Sequence, residues 1–456
     1  MATRIKAESE LPNFSPDYSG ILDKVERGFK LNGSSNGANK FFVSTGLLMS
    51  DFIMGGGLQP GCWVTFYGGE QSAKSTHMMH VIDGTLSAGV ETSLLFDYEG
   101  STSGSPDYFE NVLRSGLTSN EVFGLRDDNG NWVVRPRVRL YVEDVAETFF
   151  NSMASLLRNL PDKVYIHGQW YYVYKNTNEN RKIVSESYSK KLFSEYKQFF
   201  VPAPDGRPQA LIFLDSYPAM ITEREDDDDV KSGMAANARM FSENVRKVSS
   251  KLKRKAVTLV GINQIRLRPA VMHQNPEYEP GGETLKFASS IRIRQSGRSV
   301  PHASGPVEEE KAIWASGGTE KYRYIHMRAV KNKVATPNLE SFFRLCFEDS
   351  FGQSTGFDPV YDTFSYLKAT GQLSGTMKKL KIEMPGFSTK GKTIFWEDFK
   401  ALNLLTGQAL RDYCKDMKLE KTVKLRDICF KQMRDRTAFN LYYETKRAKP
   451  VDDDED

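Results

Sequence analysis

The apolar run Val64-Thr65-Phe66-Tyr67 leads through Gly68-Gly69-Glu70-Gln71-Ser72-Ala73-Lys74-Ser75-Thr76 into a helical stretch. A strand that turns through glycines into Lys-Ser and then a helix leaves few folds open, because its backbone N–H groups must converge on one point as the helix begins. Such a turn cradles phosphate, with Lys74 reaching the outer phosphates and the Ser75 hydroxyl holding Mg2+. Gly68, Gly69, Glu70, Gln71, Ser72, Ala73, Lys74, Ser75 and Thr76 are therefore the expected nucleotide-binding residues. Glycine usually precedes the lysine, and Ala73 stands there instead, which restricts the backbone. A glycine-rich β-turn carrying an incidental lysine is the competing reading.

A phosphate site of this kind also needs an acid at the end of a neighbouring strand for the Mg2+ shell. Leu211-Ile212-Phe213-Leu214-Asp215-Ser216 offers Asp215. Leu94-Leu95-Phe96-Asp97-Tyr98-Glu99 ends a further strand with Glu99, which can position or deprotonate an attacking water. A strand cap at Asp215 and a surface loop acid at Glu99 are the structural alternatives.

Short β-rich runs recur at 62–67, 93–96, 138–142, 210–214, 256–262, 290–293 and 322–327, with helical stretches between several of them. This alternation predicts a largely parallel sheet. Met234, Ala238, Phe241, Val245, Val248 and Leu252 recur at helical period, with Arg239, Arg246 and Lys247 on the opposite face. Residues 162–184, rich in aromatic and β-branched types, predict an inserted β-meander. The chain of 456 residues is 39% hydrophobic and 26% charged, and no apolar run approaches the ~18 residues of a membrane-spanning helix. The four cysteines, Cys62, Cys346, Cys414 and Cys429, form no CxxC pair, which argues against a zinc module or disulfide framework. A net charge of +4 permits nucleic-acid binding without demanding it. The polar start carries no apolar segment of a secretory signal, so a cytoplasmic location is expected.

In order along the chain, Val43-Ser44-Thr45-Gly46, the phosphate loop, Phe96-Asp97-Tyr98-Glu99 and Leu214-Asp215-Ser216 resemble the RecA-type recombinases. The most specific stretch is Gly261-Ile262-Asn263-Gln264-Ile265-Arg266, followed by Val271-Met272, Asn275-Pro276-Glu277, Gly281-Gly282 and Leu285-Lys286-Phe287. It is similar to that family's nucleotide-sensing glutamine and second DNA-binding loop. The resemblance spans about 41–350. It implies an α/β fold with a RecA-like P-loop NTPase core, ATP and Mg2+ as cofactors, and assembly on DNA. It makes Lys74, Glu99 and Gln264 catalytic, with Lys331 and Lys333, alternating along one strand, reaching ATP on a neighbouring protomer. Ser75 and Asp215 would serve the metal, and Tyr108 would stack on adenine. Arg239, Arg246, Arg266, Arg268, Met272, His273, Gly281 and Gly282 become the expected DNA-binding residues, with His273 where the family has an aromatic. Four consecutive aspartates, Asp226 to Asp229, occupy the interval of the first DNA-binding loop and would repel phosphate.

The expected organisation is an N-terminal polymerisation arm at 1–40, a core at 41–356 with an insertion at about 150–208, a mostly helical C-terminal region at 357–450, and an acidic tail at 451–456. Thr393 to Phe399 and Leu410 to Lys415 look like the C-terminal segment of phage-type members. The function implied is ATP-dependent DNA strand exchange by a filament on single-stranded DNA that pairs with homologous duplex. A single-strand-binding or mediator protein is a further expected partner, and a membrane is not. A ring helicase on the same fold and a regulator that binds ATP and DNA without turnover remain as alternatives.

Overall fold

The computed structural model describes residues 41–86, 88–90, 92–166, 169–182, 198–223, 234–267, 277–298, 322–346, 355–376, 379–419 and 421–434. The expected arm, Asp226 to Asp229 and the acidic tail lie outside them. The chain opens with helix α1 (Leu48–Met54), strand β1 (Trp63–Gly68), helix α2 (Lys74–Leu86) and strand β2 (Ser93–Asp97). Helices α3 (Pro106–Val112) and α4 (Ser119–Phe123) lead to a hairpin of β3 (Leu125–Arg126) and β4 (Trp132–Val134), then β5 (Val138–Val142) and α5 (Ala146–Asn159). Strands β6 (Asp162–Ile166), β7 (Gln169–Lys175) and β8 (Gln198–Pro202) form a separate antiparallel sheet, of which β6 and β7 fall in the stretch 162–184 expected to be a β-meander and β8 lies beyond it. The short helix α6 (Asn178–Arg181) lies within this insertion.

The core resumes with β9 (Ala210–Asp215), the long helix α7 (Met234–Lys255) and β10 (Val257–Gln264). Two short strands, β11 (Arg266–Leu267) and β12 (Glu277–Tyr278), precede α8 (Gly282–Ala288), β13 (Ile291–Arg298), β14 (Tyr322–Asn332), β15 (Glu340–Cys346) and β16 (Gly356–Phe357). Among the described residues these strands build a nine-stranded sheet in the order β16-β15-β14-β13-β1-β10-β9-β2-β5. Pairing is parallel from β13 to β5 and antiparallel from β13 to β16. All seven β-rich runs of the sequence are strands of this sheet.

Strands β1 and β9 are buried along their whole length, which is why they read as continuous rather than alternating apolar runs. The strand period of two then sends neighbours to opposite faces. Phe66, Leu95, Phe213 and Val260 join one core, and Trp63, Phe96, Ile212 and Leu259 join another. The second core is closed by α5 and α7, through Phe149, Phe241, Val245, Val248 and Leu252.

The first core continues without a break into the C-terminal region. There α9 (Pro359–Ala369), strands β17 (Leu373–Thr376), β18 (Lys379–Met384) and β19 (Phe387–Ser388), and helices α10 (Trp396–Leu404), α11 (Gly407–Asp416) and α12 (Leu425–Arg434) follow one another. The region expected to be mostly helical thus carries a three-stranded antiparallel sheet as well. Leu47 gives α1 no side-chain cap, and the buried Asp362 carboxylate of α9 supplies one by accepting from Leu48 N at 2.8 Å and Met49 N at 2.9 Å. Arg426 of α12 pairs with Asp362 at 2.8 Å and donates to Gly46 O at 2.7 Å. Within Ser44-Thr45-Gly46 the two hydroxyls and the Thr45 amide all bond Asp51, whose carboxyl burial pushes up to about 7. A Cβ on Gly46 would come within 3.3 Å of Gly84 Cα, so this turn rests directly on the far end of α2.

Candidate active site

The phosphate loop leaves β1 at Gly68, where a Cβ would collide with the Gln295 carbonyl of β13. Only glycine fits there. Gln71 at φ +54° and Ala73 at φ +60° make the turn in left-handed conformations. For alanine that conformation costs about 1–2 kcal/mol, so Ala73 adopts the geometry glycine would have taken more easily. Helix α2 then begins at Lys74. The Lys74 ammonium donates to Gly69 O at 2.6 Å and Ser72 Oγ at 3.3 Å. Burial lowers its pKa, against the charges of Glu99, Asp215 and Glu70.

A cavity of about 540 Å³ opens above this loop. Residues 70–76 line it together with Glu99, Tyr108, Ser216, Gln264 and Arg323. Of the residues expected from separate parts of the sequence, Lys74, Ser75, Glu99, Tyr108 and Gln264 therefore meet at one space. Tyr108 Oη lies 2.8 Å from Thr76 Oγ1, which fixes its ring at the cavity wall.

Asp215 is 2% exposed at the end of β9. Its Oδ2 accepts from Ser101 Oγ at 2.7 Å, and its Oδ1 is buried without a hydrogen-bond partner. Its pKa is raised to about 6, chiefly by burial and also by the charges of Glu99 and Asp97, while the Ser101 and Ser75 hydroxyls work against the rise. A buried carboxylate oxygen left without a donor, beside a hydroxyl and a second carboxylate, is a hard-oxygen donor set that suits Mg2+. The residues present fit that ion. Glu99 Oε1 accepts a short hydrogen bond from Ser216 Oγ.

Gln264 ends β10, and the next residue is tied back to the phosphate loop by Ile265 N to Gly68 O at 3.1 Å. Strands β11 and β12 then pair as the base of a loop, with Arg266 exposed on it. Arg268, Met272 and His273 lie outside the described residues. On the return arm, Glu279 pairs with Arg292, and the Arg292 guanidinium lies 4.3 Å from the Tyr67 ring centroid. Glu277 pairs with Arg294 at 2.7 Å. Both legs of the loop are thereby fastened to strands flanking the phosphate turn. Gly281 and Gly282, expected among the DNA-binding residues, stand at φ +81° and +71° as the N-cap and the first residue of α8.

Lys331 and Lys333 do not line the cavity. The expected alternation of the two along one strand does not hold, because β14 ends at Asn332 and only Lys331 belongs to it. Lys331 Nζ donates to Lys286 O at 2.6 Å and Phe287 O at 3.1 Å, holding the carbonyl end of α8. Burial, then the charges of Lys333 and Arg292, lower its pKa to about 8. Arg239 and Arg246 are exposed on α7, and Arg239 pairs with Glu243 at 3.0 Å.

Several residues at the site escape a reading of motifs. Arg323 of β14 lines the cavity and donates to Gln71 O. His77, on α2 behind the loop, is held between Ser50 at 2.8 Å and Gln295 at 2.6 Å and stacks on Phe66 with centroids 4.1 Å apart. Burial lowers its pKa to about 3, so the ring stays neutral.

Residues 186–352 match the RecA N-terminal domain family. The chain is 29% identical to Protein RecA of Thermus aquaticus over 201 residues, covering 40% of this chain and 53% of that one. Over 162 residues it is 28% identical to Protein RecA of Streptococcus gordonii, covering 35% of this chain and 40% of that one. It is 26% identical to a mitochondrial DNA repair protein recA homolog of Dictyostelium discoideum over 342 residues, 73% of this chain and 58% of the relative. The chain thus spans about half the length of the curated relatives it matches. Among solved structures, the crystal structure of the RadB recombinase aligns with a TM-score of 0.37 and 15% identity over 67% of this chain and 96% of that one. The family match includes Asp215, Gln264, Lys331 and Lys333 but not the phosphate loop or Glu99, and the relatives above are what the chain is similar to.

Proposed function

We propose that the chain is a DNA-dependent ATPase that exchanges DNA strands within a filament on single-stranded DNA, with ATP bound between protomers. The observation that carries this reading is the cavity where Lys74, Ser75, Glu99, Tyr108 and Gln264 meet, joined through Gln264 to the loop based on β11 and β12. ATP with Mg2+ supplies the phosphoryl group and the charge that neutralises it. Lys74 and the turn amides bind phosphate, Ser75 and Asp215 hold the metal, Glu99 orients water, and Tyr108 packs the base. Gln264 transmits the state of the outer phosphate to the loop, where Arg266 and Arg268 face the DNA backbone and Met272 and His273 face bases. Arg239 and Arg246 add to the basic surface. Lys331 and Lys333 complete the site of the adjacent protomer, and residues 1–40 form the arm that docks onto it.

The test is ATP turnover across protein concentration, with and without single-stranded DNA, for the parent and Lys331→Ala, together with pairing of labelled oligonucleotides with homologous duplex. Turnover that DNA stimulates, that rises more than linearly with protein and that the variant loses supports the reading. Turnover indifferent to DNA, or no strand pairing, refutes it.

A further inference from the structure

The loop after β2 is built around one buried side chain. Asp97, with no exposed surface, accepts from the amides of Ser101, Thr102 and Ser103 at 3.1, 3.0 and 2.9 Å, and from Ser103 Oγ at 3.0 Å. Those bonds fix the backbone at Ser101, whose hydroxyl donates to Asp215 Oδ2 at 2.7 Å. The neighbouring chain returns the contact, since Ser216 Oγ donates to Glu99 Oε1. Tyr98 N and Glu99 N also both donate to Asp215 O, at 2.5 and 3.2 Å. Two serine–carboxylate bonds thus cross between the two strand ends in opposite directions.

Oδ2 of Asp215 is occupied and Oδ1, equally buried, is left open. We propose that Ser101 is the positioning residue of the metal site: by occupying Oδ2 it fixes the carboxylate plane and presents Oδ1 to the Mg2+ shell held with Ser75. The inference rests on the nucleotide-site reading above. Outer hydrogen bonds of this type are worth about 10–100-fold in metal affinity.

The experiment measures binding of a fluorescent ATP analogue to the full chain across Mg2+ concentration and in chelator, for the parent, Ser101→Ala and Ser101→Thr. The expected result is a Mg2+ half-saturation raised about tenfold or more in Ser101→Ala, unchanged affinity in chelator, and a near-parent value in Ser101→Thr, which keeps the hydroxyl. An unchanged half-saturation in Ser101→Ala overturns the proposal and leaves the nucleotide site standing. Equal weakening with and without Mg2+ also overturns it, because the hydroxyl would then serve only the loop. A parent that binds no nucleotide removes the site and the proposal together.

Discussion

Ala73 shows how a departure from a sequence pattern is absorbed at one position. Its backbone takes φ +60° although alanine resists it, because α2 and the convergence of the loop amides depend on that turn. Ala73→Gly relieves strain of about 1–2 kcal/mol but loosens the unfolded chain by about 0.4–1 kcal/mol, so a net gain between about 0 and 1.6 kcal/mol is expected in urea unfolding. Glu99→Gln keeps the shape of the side chain and removes its charge. Single-turnover assays should show ATP hydrolysis reduced at least about 100-fold, the span of general-base contributions, with nucleotide affinity near that of the parent. His77 bears on pH. Its folded pKa of about 3 lies below its unfolded value, so its neutral form stabilises the fold above the unfolded pKa and that contribution fades as pH falls toward 3. The stability advantage of the parent over His77→Gln should shrink by about 1.4 kcal/mol per pH unit below ~6.5, read from urea midpoints at several pH values. Lys74, Ser75, Glu99, Asp215 and Gln264 are picked out by the sequence because each stands at or just past the end of an apolar strand or at the start of a helix beside recognisable neighbours. Arg323, Ser101 and the His77–Gln295 pair cannot, since sheet register and loop closure bring them together across chain separations that no local pattern records.

Among elements, the loop carried by β11 and β12 is anchored more firmly than its sequence suggests. The Glu279–Arg292 pair, with both side chains 11% exposed, ties the return arm to β13, and Arg292 covers Tyr67 of β1. Arg292→Ala leaves Glu279 without its partner and should cost about 3–5 kcal/mol, the range for breaking a buried pair. In the same variant the stimulation of ATP turnover by DNA should fall more than DNA-free turnover. Gly281→Ala is expected to destabilise by about 1–3 kcal/mol, since φ +81° disfavours a side chain and its Cβ would strike Leu285 Cδ1. The strands of the central sheet are legible because buried parallel strands leave unbroken apolar runs. The small C-terminal sheet is not anticipated, although Lys379-Leu380-Lys381-Ile382-Glu383-Met384 alternates with period two and its burial follows suit. Its lysines give the region a helical, solvated look, and the alternation is the signal to follow.

Across the whole molecule, the two cores lie on opposite faces of one sheet, and the C-terminal region extends the first of them. Removing Arg426 leaves the buried Asp362 charge without its ion partner and takes a donor from Gly46 O, so Arg426→Ala should cost about 3–5 kcal/mol. Thermal unfolding should register that loss as one cooperative transition shifted as a unit, because nucleotide core and C-terminal region share their packing. The four cysteines are buried and free. Among the described residues no helix is long and apolar enough to cross a membrane. The turn at Thr45 and Gly46 rests backbone to backbone on Gly84, with Arg426 gripping it from the other side. A contact without side chains has no rotamer with which to adapt. In lineages of such proteins, therefore, a C-terminal segment acquired from a relative would have to arrive with a matching turn and a matching end to α2, so that these three stretches are inherited together or fail together.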